Sequence, residues 1–143
     1  MAARNYPALK TDGKGFTRTD SNNYDIDAVT CHVSGTTFTK RQNWLSWLKK
    51  LIRLDKSRVK VTLVRERDNS YDANAIKVLA RDLKTGKVAN VGYIPRELAA
   101  HLAPYMDNTH KWVNIANWDI IGRNTRGCNL GMTLNLNWKT CWA

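Results

Sequence analysis

Asp68-Asn69-Ser70-Tyr71-Asp72-Ala73-Asn74-Ala75-Ile76-Lys77-Val78 decides how this chain reads, and it lies inside a longer informative stretch, Val59 to Asn108. Before the run, Val59, Val61 and Leu63 alternate with Lys60 and Thr62, the period-two pattern of a half-buried strand. After it, a strand is expected through Ile76, Val78 and Ala80. Lys84-Thr85-Gly86-Lys87 has turn chemistry and closes a hairpin into Val88 to Ile94. Val91-Gly92-Tyr93-Ile94-Pro95-Arg96-Glu97-Leu98-Ala99 then leads into a helix, with Pro95 suited to the first turn, where its missing N–H costs little. That helix is expected to cover Arg96 to about Tyr105, with Pro104 near its end because an interior proline is costly. Residues 68–74 therefore form a loop presented by two strands.

Outward from this stretch the patterning continues. Upstream, a strand begins at Tyr24, with Ile26, Ala28, Thr30 and His32 on one face and Asp27, Val29, Cys31 and Val33 on the other. Ser34-Gly35 ends it. Thr37 or Thr39 is expected to cap a helix running to about Leu54, whose apolar positions are Trp44, Leu45, Trp47, Leu48, Leu51 and Ile52. The two tryptophans read as core anchors. Downstream, one strand runs from Trp112 through Ile121. After a polar loop with Arg123 and Arg126, another strand alternates Leu130, Met132, Leu134, Leu136 and Trp138 with polar or small residues. Residues 1–23 are rich in Gly, Ser and Asn and read as a flexible N-terminal arm, leaving 24–143 as the domain. The order is strand, helix, two or three strands, helix, two strands. Such an order predicts an α+β, mainly β fold with a small, strongly bent sheet or partly open β-barrel of about six strands and two added helices.

Composition narrows the function. The chain of 143 residues suits one domain, and its net charge of +11 with a pI near 9.9 points to an anionic partner, most commonly nucleic acid. The excess is local: residues 39–60 hold eight basic side chains against Asp55, whereas residues 1–38 hold four of each sign. No run approaches the roughly 18 apolar residues of a membrane span, and the N-terminus has no apolar core for a signal peptide, so a cytoplasmic location is expected. Three cysteines, Cys31, Cys128 and Cys141, show no metal-ligand spacing and read as reduced thiols; neither metal nor cofactor is expected.

The loop residues carry the candidate chemistry. Tyr71 can stack on a base, and Asp72, an acceptor only, can take a hydrogen bond from a terminal sugar hydroxyl and would repel a phosphate there. Asp72 can equally order the loop as an Asx-turn, and Asn69 and Asn74 suit that same shaping role. Arg65 and Arg67 leave the strand beside the loop as candidate phosphate contacts, as are Lys60, Arg96, Arg123 and Arg126. Glu66, Asp68 and Asp72 are close enough in sequence to suggest a magnesium site. However, Arg65 and Arg67 are expected to pair with the first two, and no second carboxylate cluster follows, so the chain is read as non-catalytic.

The run Leu63 to Val78 resembles the first signature of the HIRAN domain, and Val91 to Ala99 resembles its second, in the family's order and spacing over about residues 25–143. The resemblance implies an OB-like barrel with added helices that recognises single-stranded DNA with a preference for a free 3′-hydroxyl end. It implies that Tyr71 and Asp72 hold the terminal nucleotide, with Asn69 two residues before Tyr71 and with Arg96 on backbone phosphate. Such domains occur fused to Swi/Snf-type helicases and as free-standing bacterial or viral proteins, and this chain is expected to be of the free-standing kind. Ser70 stands where the family often has Pro. Cys31-His32-Val33 stands where the fused members carry an Arg and aromatic residues. The expected function is a DNA-binding module in repair, replication or a viral context. The alternative is a viral or bacterial interaction protein that binds a host protein through the basic helix between Lys40 and Arg58.

Overall fold

Among the described residues, period-two alternation becomes seven antiparallel strands. The computed structural model describes residues 16–18, 26–109, 113–122 and 129–139. In chain order they form β1 (Phe16–Arg18), β2 (Ile26–His32), α1 (Thr39–Asp55), β3 (Val59–Arg65), β4 (Ile76–Asp82), β5 (Val88–Tyr93), α2 (Arg96–Thr109), β6 (Asn114–Ile121) and β7 (Gly131–Lys139), with a short 3₁₀ turn at Lys56–Arg58. One sheet has the order β1-β2-β7-β6 and the other β3-β4-β5. The fold is thus α+β and mainly β.

About six strands were expected; the described residues form seven, in two sheets that do not close into a barrel. Among the described residues, a single bridge joins the sheets where β2 ends: Ser34 N–H donates to the Tyr93 carbonyl at 2.7 Å, and Tyr93 N–H donates to the Ser34 carbonyl at 3.0 Å. Gly92 makes this contact possible. Its φ is 147°, and a Cβ there would collide with the Ser34 carbonyl and lie 2.7 Å from Val33 Cγ1. At the opposite side β3 and β6 are both edge strands, and a groove of about 950 Å³ lies against them in place of a ladder.

The core lies where the two sheets and the helices meet. Leu130, Met132, Leu134, Leu136 and Trp138 are all buried, as their alternation predicts, and they pack with Val29, Cys31 and Val33 from the β2 region. From the second sheet come Ile76, Val78 and Ala80, and from the helices Leu45, Leu48, Leu98 and Leu102. Burying each such leucine contributes about 1.5–3 kcal/mol. Trp44 and Trp47 are only half-buried; their rings meet edge-on at 5.5 Å, and Lys87 Nζ lies over both.

Four local expectations change. Phe16–Arg18, within the stretch read as an arm, pairs as β1 with β2, and Phe16 is buried opposite Cys31; the other residues of 1–23 up to Asp20 and beyond it lie outside the described residues. Neither Thr37 nor Thr39 caps α1, because the N-cap position falls on Phe38, which has no side-chain acceptor. The carbonyl of Pro95 accepts from Ala99 N–H at 2.8 Å, so Pro95 is the residue just ahead of α2. That helix continues past Pro104 to Thr109. Pro104 and Ala100 are both exposed, so water can satisfy the Ala100 carbonyl that the proline ring leaves without its helical partner.

The β4–β5 hairpin is organised by one buried carboxylate. Asp82 is 1% exposed and accepts from Arg58 Nε at 2.6 Å and Nη2 at 2.8 Å, a bidentate pair. It also accepts from Lys84 N–H at 3.0 Å and from the Thr85 hydroxyl at 2.7 Å. The Arg58 hydrogen bonds hold its carboxyl well below the usual carboxylate range.

Candidate nucleic-acid interface

The loop between β3 and β4 is held from three sides. Glu66 N–H donates to the Ala75 carbonyl at 2.9 Å, closing the loop where the strands part. Asn69 is the clamp: its Oδ1 accepts from Tyr71 N–H at 2.9 Å and Asp72 N–H at 3.0 Å, and its Nδ2 donates to Glu66 Oε1 at 2.7 Å. Asp72 Oδ1 accepts from Asn74 N–H at 2.9 Å, the expected Asx-turn. A loop with Ser70 in place of proline is therefore ordered by side-chain to backbone hydrogen bonds instead of by a ring.

Glu66 ties this loop to the scaffold. It accepts from the Tyr93 hydroxyl at 2.9 Å, and Lys77 Nζ lies 3.6 Å from its second oxygen. The bonds from Asn69 and Tyr93 hold its carboxyl below the ordinary value, while burial and this same carboxylate push the Tyr93 phenol up. The expectation that Glu66 pairs with the neighbouring arginines is corrected, because Arg65 and Arg67 turn to Asp107 on α2. Arg65 Nε and Nη2 reach the Asp107 carboxylate at 3.1 and 3.0 Å, and Arg67 Nη2 reaches it at 2.9 Å. Adjacent residues of a strand face opposite ways, so β3 directs Arg65 to α2 and away from Glu66.

The consequence of the clamp is exposure. Tyr71 is 92% exposed, a large ring held out from the surface by ordered backbone, and Asp72 sits half-buried beside it. Both line a cavity of about 930 Å³ between the loop, the end of β2, the start of α1 and the start of α2. Arg41, Arg65, Lys77 and Arg96 bring positive charge to its walls, against Glu66, Asp68 and Asp72.

The candidate residues separate into groups. Tyr71, Asp72, Asn69 and Arg96 meet at this cavity, Arg96 as the exposed first residue of α2. Arg65 lines it too, but its side chain is 12% exposed, and it also donates to the carbonyls of Ala75 at 2.8 Å and Ala73 at 3.0 Å. It acts as a tie between β3, the loop and α2. Arg67 is 70% exposed and lines the groove against β3 and β6, where Lys60 also stands. Arg123 and Arg126 lie outside the described residues. Of the Cys31-His32-Val33 stretch, Cys31 and Val33 point into the core and only His32 is exposed. Burial pushes the Cys31 thiol up to about 12.

Four wall residues are not among the sequence candidates. Lys77 is reached through β4, which returns it beside Glu66. Tyr93 arrives through the bridge between the sheets. Phe38 and Arg41 come from the start of α1: Arg41 Nη1 donates to the Gly35 carbonyl at 2.8 Å, and its guanidinium carbon lies 5.2 Å from the Phe38 ring centre and 5.4 Å from that of Tyr93. Nothing in the sequence marked these two, because the helix start read as capped by Thr37 or Thr39.

A small two-sheet scaffold thus carries an ordered loop beside a cavity lined by charges of both signs. A family model for the HIRAN domain matches residues 26–114, well over half of the chain. The protein belongs to the HIRAN domain family, and that membership suggests a DNA-binding module. Comparison with curated proteins and with solved structures finds no match. Among the described residues, no helix is long and apolar enough to cross a membrane.

Proposed function

We propose that this protein is a non-catalytic module that binds single-stranded DNA and reads its 3′-hydroxyl end. The observation that supports the reading is the pairing, on one clamped loop, of an outward ring at Tyr71 with an acceptor at Asp72, both lining a cavity to which Arg41 and Arg96 bring positive charge. The ring supplies a stacking face for the terminal base. The Asp72 carboxylate accepts from the terminal 3′-hydroxyl and repels a phosphate in its place. Arg96 contacts the adjacent backbone phosphate. The two sheets are read as an OB-like barrel left open between β3 and β6, and the setting as DNA repair, replication or a viral cycle in the cytoplasm.

The test is fluorescence anisotropy on one labelled single strand with either a 3′-hydroxyl or a 3′-phosphate, across a salt series. Tighter binding of the hydroxyl form, with affinity falling as salt rises, is expected. Equal binding of both forms would remove end reading and leave a general single-strand binder. No binding at low salt would remove the DNA reading. It would favour the alternative of a host protein as partner, for which exposed Lys40, Lys50 and Arg53 on α1 supply a basic face. In that case a DNA-free complex should survive nuclease treatment. Cleavage of the strand with magnesium would contradict the non-catalytic assignment.

A further inference from the structure

The loop accounts for one wall of its cavity and leaves the opposite wall unexplained. Phe38 sits there at the N-cap of α1, a position where Ser, Thr, Asp or Asn is favoured for the acceptor each provides. It provides no such acceptor, and its ring is 65% exposed. Its ring therefore serves neither as a cap nor in the core, and the contact it makes is with Arg41. Arg41, one turn into α1, is held on three sides: by the Phe38 ring, by the Tyr93 ring and by the Gly35 carbonyl. Gly35 has a φ of 76°, and a Cβ there would collide with Arg41 Nη1. The backbone is thus shaped to seat this guanidinium. A guanidinium has five N–H donors, and the Gly35 carbonyl takes one of them.

We infer that Phe38 and Arg41 form a second nucleotide station, resting on the single-strand reading given above. The base next to the terminal one stacks on Phe38, and Arg41 donates to the phosphate that joins the two nucleotides. Three features converge on this reading. Tyr71 and Phe38 are the exposed large rings of one cavity, whose volume of about 930 Å³ is near the top of the ~300–1,000 Å³ range of ligand sites. Stacking tolerates any base, so the station adds affinity without sequence preference. A guanidinium already fixed between two rings has lost its side-chain freedom before binding, which favours a fixed phosphate contact.

The experiment compares a labelled 3′-hydroxyl nonamer with two abasic versions, one lacking the terminal base and one lacking the penultimate base, against wild type and Phe38→Ala. In wild type each abasic version should bind about 5- to 150-fold more weakly, the range of one stacked base. In Phe38→Ala the penultimate abasic strand should bind as the intact strand does, while the terminal abasic strand keeps its full penalty. Arg41→Lys should weaken the intact nonamer, and Gly35→Ala should do the same by displacing Arg41. If Phe38→Ala leaves the penultimate penalty intact, the station is overturned while single-strand binding stands. A wild type that binds none of the three strands overturns both readings.

Discussion

Gly92→Ala offers the sharpest test of how the two sheets are joined. A non-glycine residue held in a sparsely populated backbone region costs about 1–3 kcal/mol, and Gly92 sits at a φ of 147°. The added methyl would also meet the Ser34 carbonyl, which is backbone and pinned by its bonds to Tyr93, and Val33 Cγ1 at 2.7 Å. Forcing a methyl into a packed contact costs about another 1–3 kcal/mol. The total is about 2–6 kcal/mol, a large fraction of the ~5–15 kcal/mol that holds an ordinary domain. Gly86→Ala is the control. Its φ is 77°, but a Cβ there meets only the far end of Arg81 at 3.9 Å, so it bears a backbone cost of about 1–2 kcal/mol and no collision. Urea unfolding, followed by fluorescence of the six tryptophans, separates the two. With a slope of about 2 kcal/mol per molar urea, Gly92→Ala should lower the midpoint by ~1–3 M, beyond the ~0.5–1 M shift for Gly86→Ala. Equal shifts in the two variants would refute the reasoning, because the close approach at Ser34 would then carry no weight.

Three further outcomes are expected. Tyr71→Ala should leave the urea midpoint within the change of about 0.5 kcal/mol typical of surface positions, yet weaken single-strand binding about 5- to 150-fold; unchanged binding would remove the ring from the interface. Asp82→Asn should be less stable than wild type at neutral pH. The folded-state carboxyl is depressed by Arg58, so its contribution is present above the unfolded value of about 3.9 and is lost as pH falls through the lower folded value; the gap between the proteins should therefore begin to narrow below about pH 4, and a constant gap down to pH 3 would argue against the buried pair. With its thiol pushed up to about 12, Cys31 should react with iodoacetamide at pH 8 on the order of 10³-fold more slowly in the native protein than after denaturation; peptide mapping that shows equal rates would contradict its burial.

Much of the site was legible because its determinants are local. Asn69 reaches the N–H groups two and three residues on, and Asp72 reaches the one two residues on, so loop-shaping by these side chains follows from spacing alone. The exposure of Tyr71 follows from that shaping. The roles of the basic residues were not legible. Arg65 and Arg67 read alike in sequence, but one is tied to Asp107 and two loop carbonyls and the other remains largely exposed. The carboxylate they share lies about forty positions away on α2, and nothing in the run Leu63 to Val78 indicates it.

The same division holds for the fold. Alternation alone was enough to place β2, β3, β4 and β7 and, in β3, β4 and β7, to mark the face that is buried, because a strand's two faces repeat every second residue whatever it pairs with; in β2 it separated two faces without choosing between them. Which strands pair is a different matter. β2 lies between β1 and β7, with Cys31 facing Leu134, and β3 leaves one edge against a groove in place of a partner. Local pattern is indifferent to that choice; it is made by the joint burial of both sheets and both helices and by the one close passage that Gly92 allows. The cavity inherits this dependence. Its loop wall was written in consecutive residues, whereas its facing wall of Phe38, Arg41 and Tyr93 exists only because the bridge at Ser34 brings the end of β2 and the start of α1 against β5.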